Sequence, residues 1–234
     1  MNRHTSRLQK LRSRRIKPCI GRTAVLWPEK VHILAYVTSL FLAIFLFSSC
    51  SAEEELRNGD IIFQTSQSSQ SQAIQIATGS KYSHMGVIYF TKGQCYVYEA
   101  VQPVKITPLE EWAKRGEEGH YVVKRLKDAN RLLTPDNLKR MLQFGKRYIG
   151  RDYDLYFEWS DRRMYCSEIV WKMYKQVLGV EVGQLARLRN FNLDDERVSR
   201  KLHERYGQKL PLDERVISPA DMFHSDRLRT VVEK

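Results

Sequence analysis

Cysteine is scarce in this chain, with four among 234 residues. No two stand as Cys-x-x-Cys and no His-rich cluster accompanies them, so the ligand spacings of structural zinc are missing. Basic residues are abundant, with a formal charge of +12, yet no nucleic-acid recognition motif goes with them. The excess is concentrated: residues 1–30 hold nine Lys or Arg against one Glu. Removing residues 1–49 takes away those nine basic residues and one acid, and the charge falls from +12 to +4. The basicity is a property of the leader, and no nucleic-acid partner is expected.

Behind the basic segment, Val31 to Phe47 is an apolar run broken only by His32, Thr38 and Ser39, followed by Ser48-Ser49-Cys50 and the acidic Glu53-Glu54-Glu55. A basic start, an apolar centre and small residues before a cut make a secretory signal. The Ser-Ser-Cys end resembles a bacterial lipobox, in which Cys50 becomes the acylated first residue; Phe47 stands where that motif usually has Leu. The competing reading is an uncleaved anchor, since about 17 apolar residues is the lower limit for a span. Either reading places the globular part on the outer side of the membrane, in the cell envelope. The leader is long for a signal, and we expect translation to start downstream at a non-Met codon, at Val25 or Leu26. The division that follows is a leader over 1–49, a lipidated tether over 50–58 and one folded domain over 59–234, long enough for a single core.

Two cysteines, Cys95 and Cys166, remain for that domain and could form one disulfide in an oxidising compartment. Cys166 stands at the opening of a helix: Ile169, Val170, Met173, Val177 and Leu178 recur at helical spacing, and Gly179 falls where a left-handed cap belongs. First-turn amides and the positive end of the dipole favour a thiolate there, and could receive an oxyanion. A small buried residue packing a helix start is the plainer reading of an isolated cysteine. The remainder of the domain argues against it.

Gly59-Asp60-Ile61-Ile62-Phe63-Gln64 reads as a buried strand, followed by a Ser/Gln stretch over Thr65–Gln72 and a short helix over Ala73–Ala77 closed by Gly79. The Ser/Gln stretch is either a cleft wall or a solvated connection. Two strands, Ser83–Phe90 and Cys95–Val101, flank a tight turn at Thr91–Gln94. Pairing Thr91 with Gln94 sets Ile88 opposite Val97, Gly86 opposite Glu99 and His84 opposite Val101. Glu99 is then a diagonal neighbour of His84 on one face, with Gly86 leaving space between them. A carboxylate beside one imidazole nitrogen orients the other, which is how a Cys/His pair is tuned for attack. Cys95 shares that face as a rival nucleophile, but a mid-strand thiol lacks helix-terminal amides. His120 is a rival base at a strand entrance, while His203 and His224 read as surface residues.

Thr107-Pro108 starts a short capped helix containing Trp112, His120–Leu126 is a further strand, and Thr134-Pro135 caps a helix that runs to Gly150. The aromatic, charged stretch from Arg151 to Arg163 is read as packing under the Cys166 helix, or as a groove wall. Beyond Gly179 the signal thins: Leu185–Gly207 is highly charged, Val216-Ile217 is a short strand and Ser218-Pro219 opens a capped turn.

Six segments, Gly59–Phe63, Tyr82–Val87, Tyr98–Val101, Tyr153-Asp154, Tyr165–Glu168 and Ile217–Asp221, fall in the order seen in the YiiX-like permuted papain-like amidases. The resemblance covers nearly all of the mature chain. That family is similar to the NlpC-type cell-wall peptidases but permuted, so the His precedes the Cys. The resemblance implies an α+β fold, a small antiparallel, barrel-like sheet packed against the Cys-bearing helix. It also implies Cys166 as nucleophile, His84 as base and Glu99 as orienting residue, with no metal or organic cofactor. Acyl transfer through a thioester is the expected chemistry. Three functions are weighed: a cysteine amidase or peptidase acting on a peptide such as cell wall, a lipid-directed thiol acyltransferase or esterase using the same residues, and an inactive membrane-tethered binding module. The intact Cys/His/Glu set speaks against the third.

Overall fold

A computed structural model describes residues 55–234; the leader, Cys50 and most of the tether lie outside the described residues. Among those described, no helix is long and apolar enough to cross a membrane. In chain order the elements are β1 (Ile61–Gln64), α1 (Ser69–Thr78), β2 (His84–Thr91), β3 (Gln94–Glu99), β4 (Lys105–Pro108), α2 (Leu109–Ala113), β5 (Val122–Leu126) and α3 (Ala129–Leu132). Then follow α4 (Pro135–Lys146), α5 (Cys166–Leu178), β6 (Ala186–Arg187), α6 (Glu196–Tyr206), β7 (Arg215–Val216), α7 (Pro219–Phe223) and β8 (Leu228–Glu233).

Six strands form one antiparallel sheet in the order β4-β3-β2-β1-β5-β8, with β4 and β8 at open edges, and β6 pairs with β7 apart from it. The mixed character and the antiparallel sheet agree with expectation; the ladder does not close into a barrel. Alternation along the strands builds two apolar layers. Ile61, Phe63, Met85 and Val87 join the main core with Met141 and Phe144 of α4 and Ile169, Val170 and Met173 of α5. Ile62, Ile88 and Val97 face the other way and pack with Trp112 of α2. Each such side chain, fully buried, contributes on the order of 1.5–3 kcal/mol. A buried ion pair ties β5 to the start of β1: Arg125 Nε lies 2.6 Å from Asp60 Oδ1.

The hairpin that carries the site keeps the expected register, Thr91 opposite Gln94 and Ile88 opposite Val97. Lys92 and Gly93 both take positive φ, 50° and 77°, the conformation that suits a two-residue turn to the strand twist. Gly179, at φ 71°, caps α5, and the Thr134 hydroxyl accepts from the Asn137 amide at the start of α4. Several boundaries differ from expectation. Ser68 caps a helix that takes in half of the Ser/Gln stretch. The second long helix stops at Lys146 rather than Gly150. Thr107 lies in β4 and caps nothing, and Pro108 precedes α2.

Candidate active site

Tyr165 is extended, at φ −100° and ψ 166°, and α5 begins at Cys166. Glu168 Oε2 accepts from the Tyr165 amide at 3.4 Å, and the first helical bond runs from the Ile169 amide to the Tyr165 carbonyl at 3.2 Å. The first-turn amides ahead of Ile169, Cys166's among them, have no carbonyl of the helix to donate to. Glu168 is fully buried; burial pushes its carboxyl up to about 8 although Lys172 Nζ, 2.8 Å away, opposes the rise. Lys172 also donates to the Ser160 carbonyl at 2.8 Å and pairs with Asp161. That fastens the 151–163 segment to the helix, with Phe157 edge-on to Tyr165 and Trp159 edge-on to Trp171. The segment therefore packs against the Cys-bearing helix, as its aromatic composition suggested.

His84 is the first residue of β2, and Glu99 is the last of β3. Register and side-chain length bring His84 Nε2 to 2.6 Å from Glu99 Oε2. That leaves Nδ1 available to Cys166, whose side chain lies close enough to interact with the ring. Burial works to lower the imidazole, but the interactions with Cys166 and Glu99 prevail and raise it to about 9. At neutral pH the ring is therefore held cationic. Glu99 is fully buried, and burial would raise its carboxyl. The bond and charge of His84, the Thr107 hydroxyl at 2.6 Å and the Arg115 guanidinium reverse this and hold it down to about 2. Trp112 stacks on the His84 ring with centroids 5.9 Å apart. The imidazole is fixed along an edge by a carboxylate and across a face by an indole.

Two hollows meet at this pair. One, of about 350 Å³, mixes polar and apolar groups and is lined by Ser66, Ser83, His84, Arg115 and Tyr153 together with Val101 and Leu155. The other, of about 80 Å³, is apolar and is lined by Cys166 with Phe157, Leu188, Phe191, Leu202 and Ile217. Gln70 lines both. Its amide donates to the Tyr153 hydroxyl at 3.1 Å while its carbonyl accepts from Arg205 at 3.0 Å, so the Tyr153 O–H proton is directed away from Gln70. Burial pushes the Tyr153 phenol well up, and a charge on Cys166 adds to the rise. The Ser/Gln stretch is thus a cleft wall, held by the Ser71–Ser83 hydroxyl contact at 2.5 Å.

Three residues singled out in the sequence, Cys166, His84 and Glu99, are brought together, His84 hydrogen-bonded to Glu99 and interacting with Cys166. Cys95 is not near them; it is free and half-buried beside the Ile88 and Val97 layer, so no disulfide joins it to Cys166. His120 lies 3.8 Å from Glu233, and His203 and His224 are exposed. Gly86 departs from its expected part. A Cβ there would meet Val97 Cγ1 at 2.4 Å and the Tyr98 carbonyl at 2.7 Å, so the glycine admits close packing of β3 and opens no gap. Sequence reasoning missed Thr107, read as a helix cap, and Arg115, to which it gave no part. Thr107 is paired with Val97, two residues from Glu99 on the same face, so its contact depends on β4 pairing with β3.

A family model described as permuted papain-like amidase enzyme, YaeF/YiiX, C92 family, matches residues 55–232. The uncharacterized protein YiiX of Escherichia coli strain K12 is 47% identical over 178 residues, which cover 76% of this chain and 87% of YiiX. A crystal structure of YiiX from Escherichia coli O157:H7 superposes with a TM-score of 0.72 at 48% identity, over 76% of this chain and 97% of that one. That protein is described as a metalloprotein. Among the described residues here, no three His, Cys, Asp or Glu side chains stand together as ligands would.

Proposed function

This chain belongs to the permuted papain-like amidases, and from that premise we propose that it is a cysteine hydrolase of the cell envelope, cleaving an amide through a thioester on Cys166. The observation that carries the reading is the buried chain from Cys166 through His84 to Glu99. His84, held cationic, faces the sulfur as its ion-pair partner. The thiolate attacks the carbonyl, the S–C bond forms, and first-turn amides of α5 together with the Tyr153 hydroxyl receive the oxyanion. The C–N bond breaks as His84 gives its Nδ1 proton to the departing amine. Neutral His84 then takes a proton from water, whose oxygen attacks the thioester; the C–S bond breaks, the acid leaves, and the thiolate beside cationic His84 is restored. Glu99 stabilises the imidazolium throughout without accepting its proton.

The cleft beside His84, where Ser, Gln and Arg side chains stand among apolar ones, suits a peptide, cell-wall peptide being the substrate we favour. One observation favours a second reading: Cys166 opens onto an apolar hollow, which fits the acyl chain of a lipid-directed thiol acyltransferase or esterase. Incubating the protein with fractionated envelope extract and weighing the Cys166 peptide distinguishes them. A peptidyl adduct that His84→Ala abolishes is expected. A fatty-acyl adduct moves the assignment to the second reading, and substrate turnover by Cys166→Ala removes both.

A further inference from the structure

Neither Cys166 nor His84 lines the cavity of about 220 Å³ that lies between α4 and the strands β2, β3 and β4. Leu138, Leu142, Val87 and Met173 form its walls. Ile106 and Ile149 also line it, although they are 38% and 43% exposed. No Asp or Glu lines it, whereas Lys139 and Lys146 do. These lysines are seven residues apart on α4, about two turns or roughly 10 Å along one face. Neither makes an ion pair or hydrogen bond among the described residues. Asn58 and Gly59, where the chain enters the fold, belong to the same wall.

We propose that this face rests on the membrane surface, with Ile106 and Ile149 in the acyl-glycerol layer and Lys139 and Lys146 on anionic phospholipid headgroups. The inference rests on the reading of the N-terminus as membrane-attached. A lipid on Cys50 leaves seven residues, 51–57, before the cavity wall at Asn58, and the eight residue steps from Cys50 to Asn58 span at most about 28 Å. The wall that holds Asn58 and Gly59 is therefore kept close to the bilayer whatever path the tether takes. Exposed apolar side chains between unpaired lysines are the pattern that an anionic interface attracts.

The test uses the full chain in vesicles of phosphatidylethanolamine and phosphatidylglycerol whose acyl chains are brominated. Ile149→Trp introduces an emitter on the proposed face, and Arg140→Trp introduces one on the side of α4 turned away from the cavity, at an exposed position. The expected result is blue-shifted, quenched emission from Ile149→Trp and unshifted, unquenched emission from Arg140→Trp. Adding Lys139→Glu and Lys146→Glu to Ile149→Trp should remove the quenching, as should replacing the anionic lipid by phosphatidylcholine. Protein that floats with the vesicles while Ile149→Trp stays unquenched overturns the docking face and leaves the anchor standing. A blue shift that grows with protein density, without quenching, assigns the face to a second copy instead. Protein that fails to float overturns the attachment and the face together.

Discussion

Cys95 and Cys166 are the two thiols of the folded domain, and the contrast between them shows what position does to one chemical group. Cys95 is the second residue of β3, beside the smaller apolar layer, where burial and the charge of Asp60 push it up to about 11. Cys166 is more deeply buried than Cys95, yet it stands at a helix start with the His84 ring interacting with it. Burial alone does not separate a nucleophile from a core residue here. A fixed cation and unpaired amides do.

The comparison breaks first if the wrong cysteine carries activity. On the proposed mechanism, Cys166→Ala lowers turnover of the identified substrate by at least about a thousandfold, while Cys95→Ala leaves it within a factor of a few. Equal loss in both, with both folded by circular dichroism, would remove the distinction. Glu99→Gln is the next largest effect. The amide keeps the shape but not the charge, and by analogy with other triads kcat falls on the order of 10²–10⁴. Losing the anion also lets the imidazole fall from about 9, so the alkaline limb of the pH–rate profile should move to lower pH. An unmoved limb would show that Glu99 does not act through His84.

A smaller and more direct comparison is alkylation. At pH 7 a thiol with a pKa of about 11 is roughly one part in ten thousand thiolate, so iodoacetamide should modify Cys95 slowly. Cys166 should react faster through the cleft, and His84→Ala should slow it toward the rate of Cys95. Mass spectrometry of the two peptides over time reads both rates. Faster labelling of Cys95, or no response of Cys166 to His84→Ala, would sink the pairing.

The parts of this fold that sequence exposed are those where local rules and tertiary packing agree. The α5 stripe ended by Gly179 and the hairpin register through Lys92-Gly93 both follow from periodicity and turn chemistry. Because the register was legible, so was the His84–Glu99 contact. The edge strands β4 and β8 were not, since Lys105–Pro108 and Leu228–Glu233 carry too little apolar alternation to stand out and are held by one neighbour each. Helix α6 was also hidden, because its charged surface face outweighs Val198 and Leu202, the two residues that it buries. Arg115 escaped notice for a different reason. It lies just beyond α2, and only the folding of α2 against β3 and β4 carries its guanidinium to Glu99. A contact made across three elements leaves no periodic trace. The same holds for Gln70 and Tyr153, 83 positions apart in the chain.

The smallest expected effect tests whether Thr107 belongs to the catalytic chain or merely to the strand. Thr107→Val keeps the β-branched shape in β4 and deletes the hydroxyl that donates to Glu99, a bond to a buried charged group with a net contribution of about 1.5–3 kcal/mol. Glu99 is held down to about 2 in the fold against an ordinary value of 4.5. Its contribution to stability is therefore fully present above about pH 4.5 and is lost as pH falls toward 2. Removing one of the groups that hold it down raises its folded value and narrows that window from below. Urea unfolding between pH 7 and pH 2 should show Thr107→Val weaker than the native chain at neutral pH. The gap should hold until the pH reaches the variant's raised Glu99 value and then narrow toward pH 2, because a protonated Glu99 no longer distinguishes the two. Alkylation of Cys166 should change little, since His84 keeps its carboxylate. A gap that stays constant across the pH range would mean that Thr107 acts through packing alone, and the network around Glu99 would then contract to His84 and Arg115.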